Sequence, residues 1–117
     1  MSLGTLQPYL LAAAVVGFMI FRFLRFRAAA ARLPELRGRG AIILDVRSPA
    51  EYRRASAPGS VNIPLDQLER RLGELDASKP VVVCCASGTR SALAAATLKR
   101  RGFREVLNAG PWTNAAS

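Results

Sequence analysis

The chain of 117 residues has room for one domain, and half of its residues are hydrophobic, which argues against disorder over most of its length. A net charge of +9 and a pI near 11.2 invite a nucleic-acid reading, but four of the 17 basic residues precede Glu35 with no acid among them, and the remaining 13 face eight acids. No RNA-binding motif or interleaved aromatics accompany them, so nucleic acid is not an expected partner, and the absence of histidine removes Cys-His proteases, Ser-His-Asp hydrolases and histidine metal sites together.

From Met1 to Phe21 no side chain is charged, and "RFLRFR" comes next. Leu3–Phe21 as a helix spans roughly 28 Å at about 1.5 Å per residue, near the hydrocarbon thickness of a bilayer. A secretory signal carries its positive region before the apolar core, whereas here Arg22, Arg25 and Arg27 come after it. A transit peptide distributes arginines and serines along its length, which this block does not. The segment therefore reads as a single-pass membrane anchor over residues 1–26, with a helix lying in the interface as the alternative. Positive charge on its carboxyl side places the remainder of the chain in the cytoplasm.

Residues 27–40 read as a juxtamembrane helix or linker interrupted near Pro34, and 41–117 as one folded domain. "AIILDV" (41–46) is a strand buried on both faces. Ser48, Pro49 and Glu51 predict an N-cap, a first helical position and a capping box. "APGSVNIP" is a turn and a brief strand. Leu65, Leu68, Leu72 and Leu75 predict one apolar face of a helix. "PVVVCC" is a second buried strand, "SALAAATLKRRG" a helix stopped by Gly102, and "EVLNA" a last strand. Strands alternating with helices imply an α/β fold with a mostly parallel central sheet flanked by helices.

The two cysteines are neighbours, Cys84 and Cys85. A bond between them closes a strained ring and staples no loop, so free thiols in a reducing compartment are expected. "CCASGTR" lies at the carboxyl end of a strand, where open α/β sheets form their sites. Its small residues let backbone N–H groups curl around one point, and the helix after it adds its positive end. A cysteine at the start of such a loop has a lowered pKa without a histidine base. Strand alternation turns Cys84 into the sheet's packing and leaves Cys85 for chemistry, with Arg90 closing the ring on an anionic substrate.

On "LDVRSPAEY" (44–52), "APGSVNIPL" (57–65), "VVVCCASGTRSALAAATL" (81–98) and "GFREVLNAG" (102–110), the chain resembles the rhodanese family of sulfurtransferases. The resemblance implies that Cys85 takes a sulfane sulfur from a small anionic donor such as thiosulfate and passes it to cyanide or a thiol. Ala86, Ser87, Gly88 and Thr89 then supply N–H donors and Arg90 orients the donor, with no cofactor and no metal. Asp45 is expected to bond loop amides, and Arg47 to pair with Glu51. Three features depart from the family: Ser56 stands where many members have histidine, Cys84 replaces a residue that is often aromatic, and the chain stops soon after "NAGPW", which predicts a shortened or missing closing helix. Counting from Cys84 instead gives Cys-x5-Arg90, the spacing of cysteine phosphatases and arsenate-type enzymes. A membrane-anchored persulfide carrier without turnover is the third class.

Overall fold

A computed structural model describes residues 3–116 of the chain. Four strands, β1 (Ile42–Asp45), β2 (Val61–Asn62), β3 (Val81–Cys85) and β4 (Val106–Pro111), form one parallel sheet in the order β2-β1-β3-β4. Every residue of β3 is buried, which is why its sequence is a continuous apolar run rather than an alternating one. Val81, Val83 and Cys85 pack on one side of the sheet with Leu44, Leu98 and Phe103. Val82 and Cys84 pack on the other with Leu33, Leu36 and Ile43. The period of two therefore sends adjacent cysteines into separate cores.

Helix α1 (Leu3–Ala31) is unbroken. Its first two-thirds project away from the sheet with Leu10, Val15, Phe18 and Phe21 all exposed, and it is long and apolar enough to cross a membrane. Its last turns join the domain: Ala29 is buried, and the helix packs on β4 and on the short closing helix α5 (Trp112–Ala115). The stretch 27–40 thus divides between the end of α1 and a second helix, α2 (Leu33–Gly38), whose Leu33 and Leu36 are buried. The break falls at Arg32 rather than at Pro34, because proline is tolerated in the first turn of α2, where its missing N–H has no helical partner to lose.

Helix α3 (Pro49–Arg54) has the capping box expected of it: the Glu51 amide donates to Ser48 Oγ at 3.2 Å and the Ser48 amide donates to Glu51 Oε1 at 3.1 Å. The leucine stretch after β2 forms no α-helix but two 3-10 helices, Leu65–Gln67 and Glu69–Glu74. Three residues per turn stack Leu65 on Leu68 and Leu72 on Leu75, and all four meet the same core. Gly73 weakens the competing α-helix by about 1 kcal/mol. Helix α4 (Thr89–Arg100) starts two residues earlier than Ser91 because Gly88, with φ at 106°, turns the chain directly out of the strand. Strand β4 also runs past the predicted Ala109, with an irregularity that passes from Asn108 to Gly110 opposite Val83 and Cys84.

Arg47 does not pair with Glu51. Its guanidinium lies 2.7 Å from Asp45 Oδ2, and both residues are buried. The reason is local: Glu51 is engaged by its capping box and by Arg90, while Asp45 sits two residues away at the strand end and also accepts from the Arg47 amide at 2.9 Å. Arg47 further donates to the Ala55 carbonyl at the end of α3 at 2.7 Å and lies over the Trp112 ring at 4.9 Å. One buried cation thereby joins the end of β1, the end of α3 and α5. Arg47→Met leaves the Asp45 carboxylate buried and unpaired, with an expected loss of about 3–5 kcal/mol in urea unfolding. Arg71→Met breaks the exposed pair with Glu74, and its cost should stay below about 1 kcal/mol in the same measurement.

Candidate active site

The end of β3, the turn Ala86–Gly88 and the first turn of α4 enclose the Cys85 sulfur, which is fully buried. The Gly88 amide donates to Sγ at 2.9 Å, and Ser91 Oγ lies 3.4 Å from it. Burial by itself pushes the thiol pKa up. Hydrogen bonds from the Ser91 side chain and amide and from the Gly88 and Ser87 amides outweigh it, and the group is held below its ordinary value. Cys84, across the sheet, has none of these donors; burial first and the Asp45 charge second push its thiol up to about 12. Of two adjacent thiols, one is prepared to ionise and the other is not.

Ser91 is the residue to which the sequence reading assigned no role, although it closes the Cys-x-x-Gly-x-Arg-Ser pattern. Its hydroxyl donates to Asn108 Oδ1 at 2.7 Å, and that oxygen also accepts from the Gly110 amide at 2.9 Å. A hydroxyl has one proton to donate. With Cys85 protonated, the thiol donates to Ser91 Oγ and Ser91 donates to Asn108. With Cys85 ionised, Ser91 turns its proton to the sulfur, and Asn108 keeps the Gly110 amide. The same contacts serve both protonation states without displacing a heavy atom. Asn108 is aimed here by the step in register on β4.

The loop residues named from sequence divide in two. Ser87 and Gly88 bring their amides to the sulfur, while Ala86, the Ser87 side chain and Thr89 form the exposed rim. The hydrogen bonds of the Arg90 guanidinium go to Glu51, two in parallel at 2.8 and 3.0 Å, and Cys85 acts on it only through its charge. The same residue borders a shallow cavity of about 310 Å³ with Ser48 and Pro64. Arg90 is the first cause, and the Ser48 amide the second, that brings the Glu51 carboxyl down to about 2. This ion pair is intact at any pH above the ordinary carboxylate range and is lost as pH falls toward 2.

Two residues of α1 also hold the loop. Arg22 Nη2 donates to the Ser87 carbonyl at 2.6 Å. The Phe26 ring occupies the notch between Gly88 and Gly110: a Cβ on Gly88 would lie 2.6 Å from the ring and a Cβ on Gly110 2.8 Å from it. Both glycines also have positive φ, so a side chain at either is refused twice. No local pattern identifies Arg22 or Phe26 as site residues, since 65 positions separate Arg22 from Ser87.

The family model of the rhodanese-like domain matches residues 29–110. The chain is 45% identical over 75 residues to YrkF of Bacillus subtilis, provisionally named a sulfur carrier protein, which covers 61% of this chain and 40% of that one. It is 38% identical over 71 residues to the thiosulfate sulfurtransferase GlpE of Pseudomonas syringae, covering 61% of this chain and 67% of GlpE. A solved rhodanese-related protein from Thermoplasma volcanium superimposes with a TM-score of 0.65 at 35% identity, over 74% of this chain and 85% of that one. The chain spans 40%, 56% and 63% of the lengths of the first three curated relatives it matches.

Hydrogen bonds to a charged group contribute about 1.5–3 kcal/mol, which is one to two pH units of differential stabilisation. In Ser91→Ala the sulfur keeps its amide donors and loses the hydroxyl, so the pH of half-maximal Cys85 alkylation should rise by about one unit. Cys84→Ser leaves Cys85 as the only thiol and should keep that pH unchanged, and an unchanged pH in Ser91→Ala would mean that the hydroxyl does not hold the sulfur.

Proposed function

The chain belongs to the rhodanese-like domain family, and on that premise we propose that it is a sulfurtransferase working through a persulfide on Cys85. The observation that carries this reading is the sulfur itself, buried, with the Gly88 amide 2.9 Å away and Ser91 beside it. The Cys85 thiolate attacks the outer sulfur of thiosulfate, the S–S bond of the donor breaks, and its electron pair leaves with sulfite. The persulfide anion that remains is stabilised by the same preorganised donors, with no reorganisation between the two anions. Attack of cyanide or of a thiolate on the outer sulfur then breaks the Cys85 S–S bond and returns the thiolate. Neither step needs a base, which accords with a chain that has no histidine, and neither needs a cofactor.

Arg90 takes the role of orienting the anionic donor at the loop's far end. Glu51 supports this by fixing the guanidinium plane through both carboxylate oxygens. The reading from Cys84 as a phosphatase nucleophile lacks support in the geometry: that thiol faces the opposite core and is pushed up to about 12.

α1 serves as a single-pass anchor, amino terminus outside and catalytic domain in the cytoplasm. The exposed apolar side chains from Leu10 to Phe21 and the arginines after them support both the span and its direction. The coarser fact on which this rests is a helix of sufficient length and apolarity.

Cys85→Ser should abolish thiocyanate formation from thiosulfate and cyanide, and Cys84→Ser should retain most of it. Arg90→Lys, which cannot reproduce the two-pronged contact with Glu51, should lose at least about tenfold in kcat/KM, roughly 1.4 kcal/mol. A Cys85 that gains one sulfur by mass after thiosulfate treatment, yet yields no thiocyanate, would establish a carrier instead. Loss of activity in Cys84→Ser with wild-type activity in Cys85→Ser would overturn the assignment.

A further inference from the structure

The position of α1 against the active loop says where in space the chemistry takes place, provided that α1 spans a bilayer as proposed above. The uncharged block Leu3–Phe21, roughly 28 Å as a helix, is barely enough for a hydrocarbon core of about 30 Å. All of it is therefore needed, which puts Phe18 and Phe21 at the inner edge of the hydrocarbon and Arg22 among the headgroups. Arg22 is also the residue that holds the loop, through the Ser87 carbonyl at 2.6 Å. The helix is continuous through Ala31 and has no hinge between the two regions. The active loop is consequently fixed at headgroup depth. Because Glu105, just before β4, pairs with Arg32, just after α1, while Gly110 near the far end of β4 meets Phe26 further up α1, the carboxyl ends of the strands face the membrane and their amino ends face away from it.

What occupies that boundary is a cleft of about 360 Å³ between the two elements. Phe18, Phe21 and Arg22 line it from α1, with Gly88, Thr89 and Leu93 on the domain side. Leu93 is 58% exposed, and the only other exposed large hydrophobic outside α1 among the described residues is Val61, on the far edge strand. Arg25 reaches the same cleft as Arg22, and no acidic residue lines it. An apolar wall continuous with the span, two guanidinium groups at the headgroup level and no opposing charge suit one occupant: a phospholipid with an anionic headgroup.

We propose that the catalytic edge of the domain lies in the headgroup layer of the bilayer, with an anionic phospholipid seated between α1 and α4. Its phosphate meets Arg22 and Arg25, and its chain runs along Phe18, Phe21 and Leu93. Cys85 then meets its substrates at the membrane interface, through the exposed rim of Ala86, Ser87 and Thr89, and not in bulk solution.

Leu93→Cys in a Cys85→Ser background leaves one exposed thiol for a nitroxide label, because Cys84 is buried with its thiol pushed up. The full-length chain is placed in phosphatidylcholine bilayers with and without phosphatidylglycerol. Labels at Val15, in the span, and at Ser78, in the turn preceding β3, serve as references. Collisions with oxygen against collisions with a water-soluble nickel chelate report depth. With phosphatidylglycerol present, the label at position 93 should lose chelate collisions and fall between Val15 and Ser78, at interfacial depth, while Ser78 stays aqueous. Removing phosphatidylglycerol, or combining Arg22→Gln with Arg25→Gln, should move position 93 toward Ser78. An aqueous position 93 beside a lipid-exposed Val15 overturns the proposal and leaves the span standing; an aqueous Val15 overturns both. A position 93 buried equally in neutral and anionic lipid overturns the assignment of an anionic headgroup. The readout is independent of turnover, so a failure of the sulfur-transfer reading shows separately in the thiocyanate assay.

Discussion

A thiol with no exposed surface has its pKa raised by burial unless hydrogen-bond donors offset it, and the donors around Cys85 come from a few backbone amides and one hydroxyl. That requirement organises the carboxyl end of the sheet. The amides of Ser87, Gly88 and Ser91 converge on Cys85 only if the chain reverses sharply after the strand, and the reversal uses the left-handed conformation of Gly88. The hydroxyl of Ser91 is useful only if its alternative partner is close by, and Asn108 is brought there because β4 slips by one residue against β3. A bulge in a strand and a turn after another are thus parts of one device for holding charge.

The loop is in turn held from outside the sheet. Asp45 and Arg47 tie the neighbouring strand end to α3 and to Trp112, and Glu51 at the start of α3 holds Arg90. On the other flank, Arg22 and Phe26 press on the turn from α1. The reactive segment therefore lies between two supports from opposite directions, one built on a buried ion pair and one on an aromatic ring seated against two glycines. Such bracketing keeps the donors aimed without requiring the loop itself to be a good folding unit.

What the sequence discloses here is what depends on neighbours along the chain. The apolar run of β3, the capping box of Ser48 and Glu51, and the small-residue loop after Cys85 each arise from short-range rules, and so does the separation of Cys84 from Cys85 by strand parity. The leucines after β2 are instructive because three-residue spacing satisfies a 3-10 helix as well as an α-helix, and Gly73 tips the balance. The pairing of Arg90 with Glu51, 39 positions apart, and of Ser91 with Asn108, 17 apart, depends on how the sheet is assembled. Arg47 has two acids within reach, and only the geometry of the strand end decides for Asp45. The dual use of α1, apolar outward and tucked around Phe26 inward, leaves no periodic signal because both halves consist of the same kinds of residue.

The placement of the two cysteines on opposite sides of β3 has a chemical consequence beyond the choice of nucleophile. A second thiol next to a persulfide is ordinarily a resolving group: it attacks the inner sulfur, forms a disulfide and expels hydrogen sulfide, so the cargo is lost before an acceptor arrives. Cys84 is the nearest thiol along the chain, yet the sheet itself stands between it and the Cys85 sulfur, and its high pKa keeps it protonated. The strand acts as an insulator between two groups that sequence places side by side. A cysteine pair that looks like a redox couple on paper is, in three dimensions, two thiols in separate cores, of which only Cys85 faces the loop.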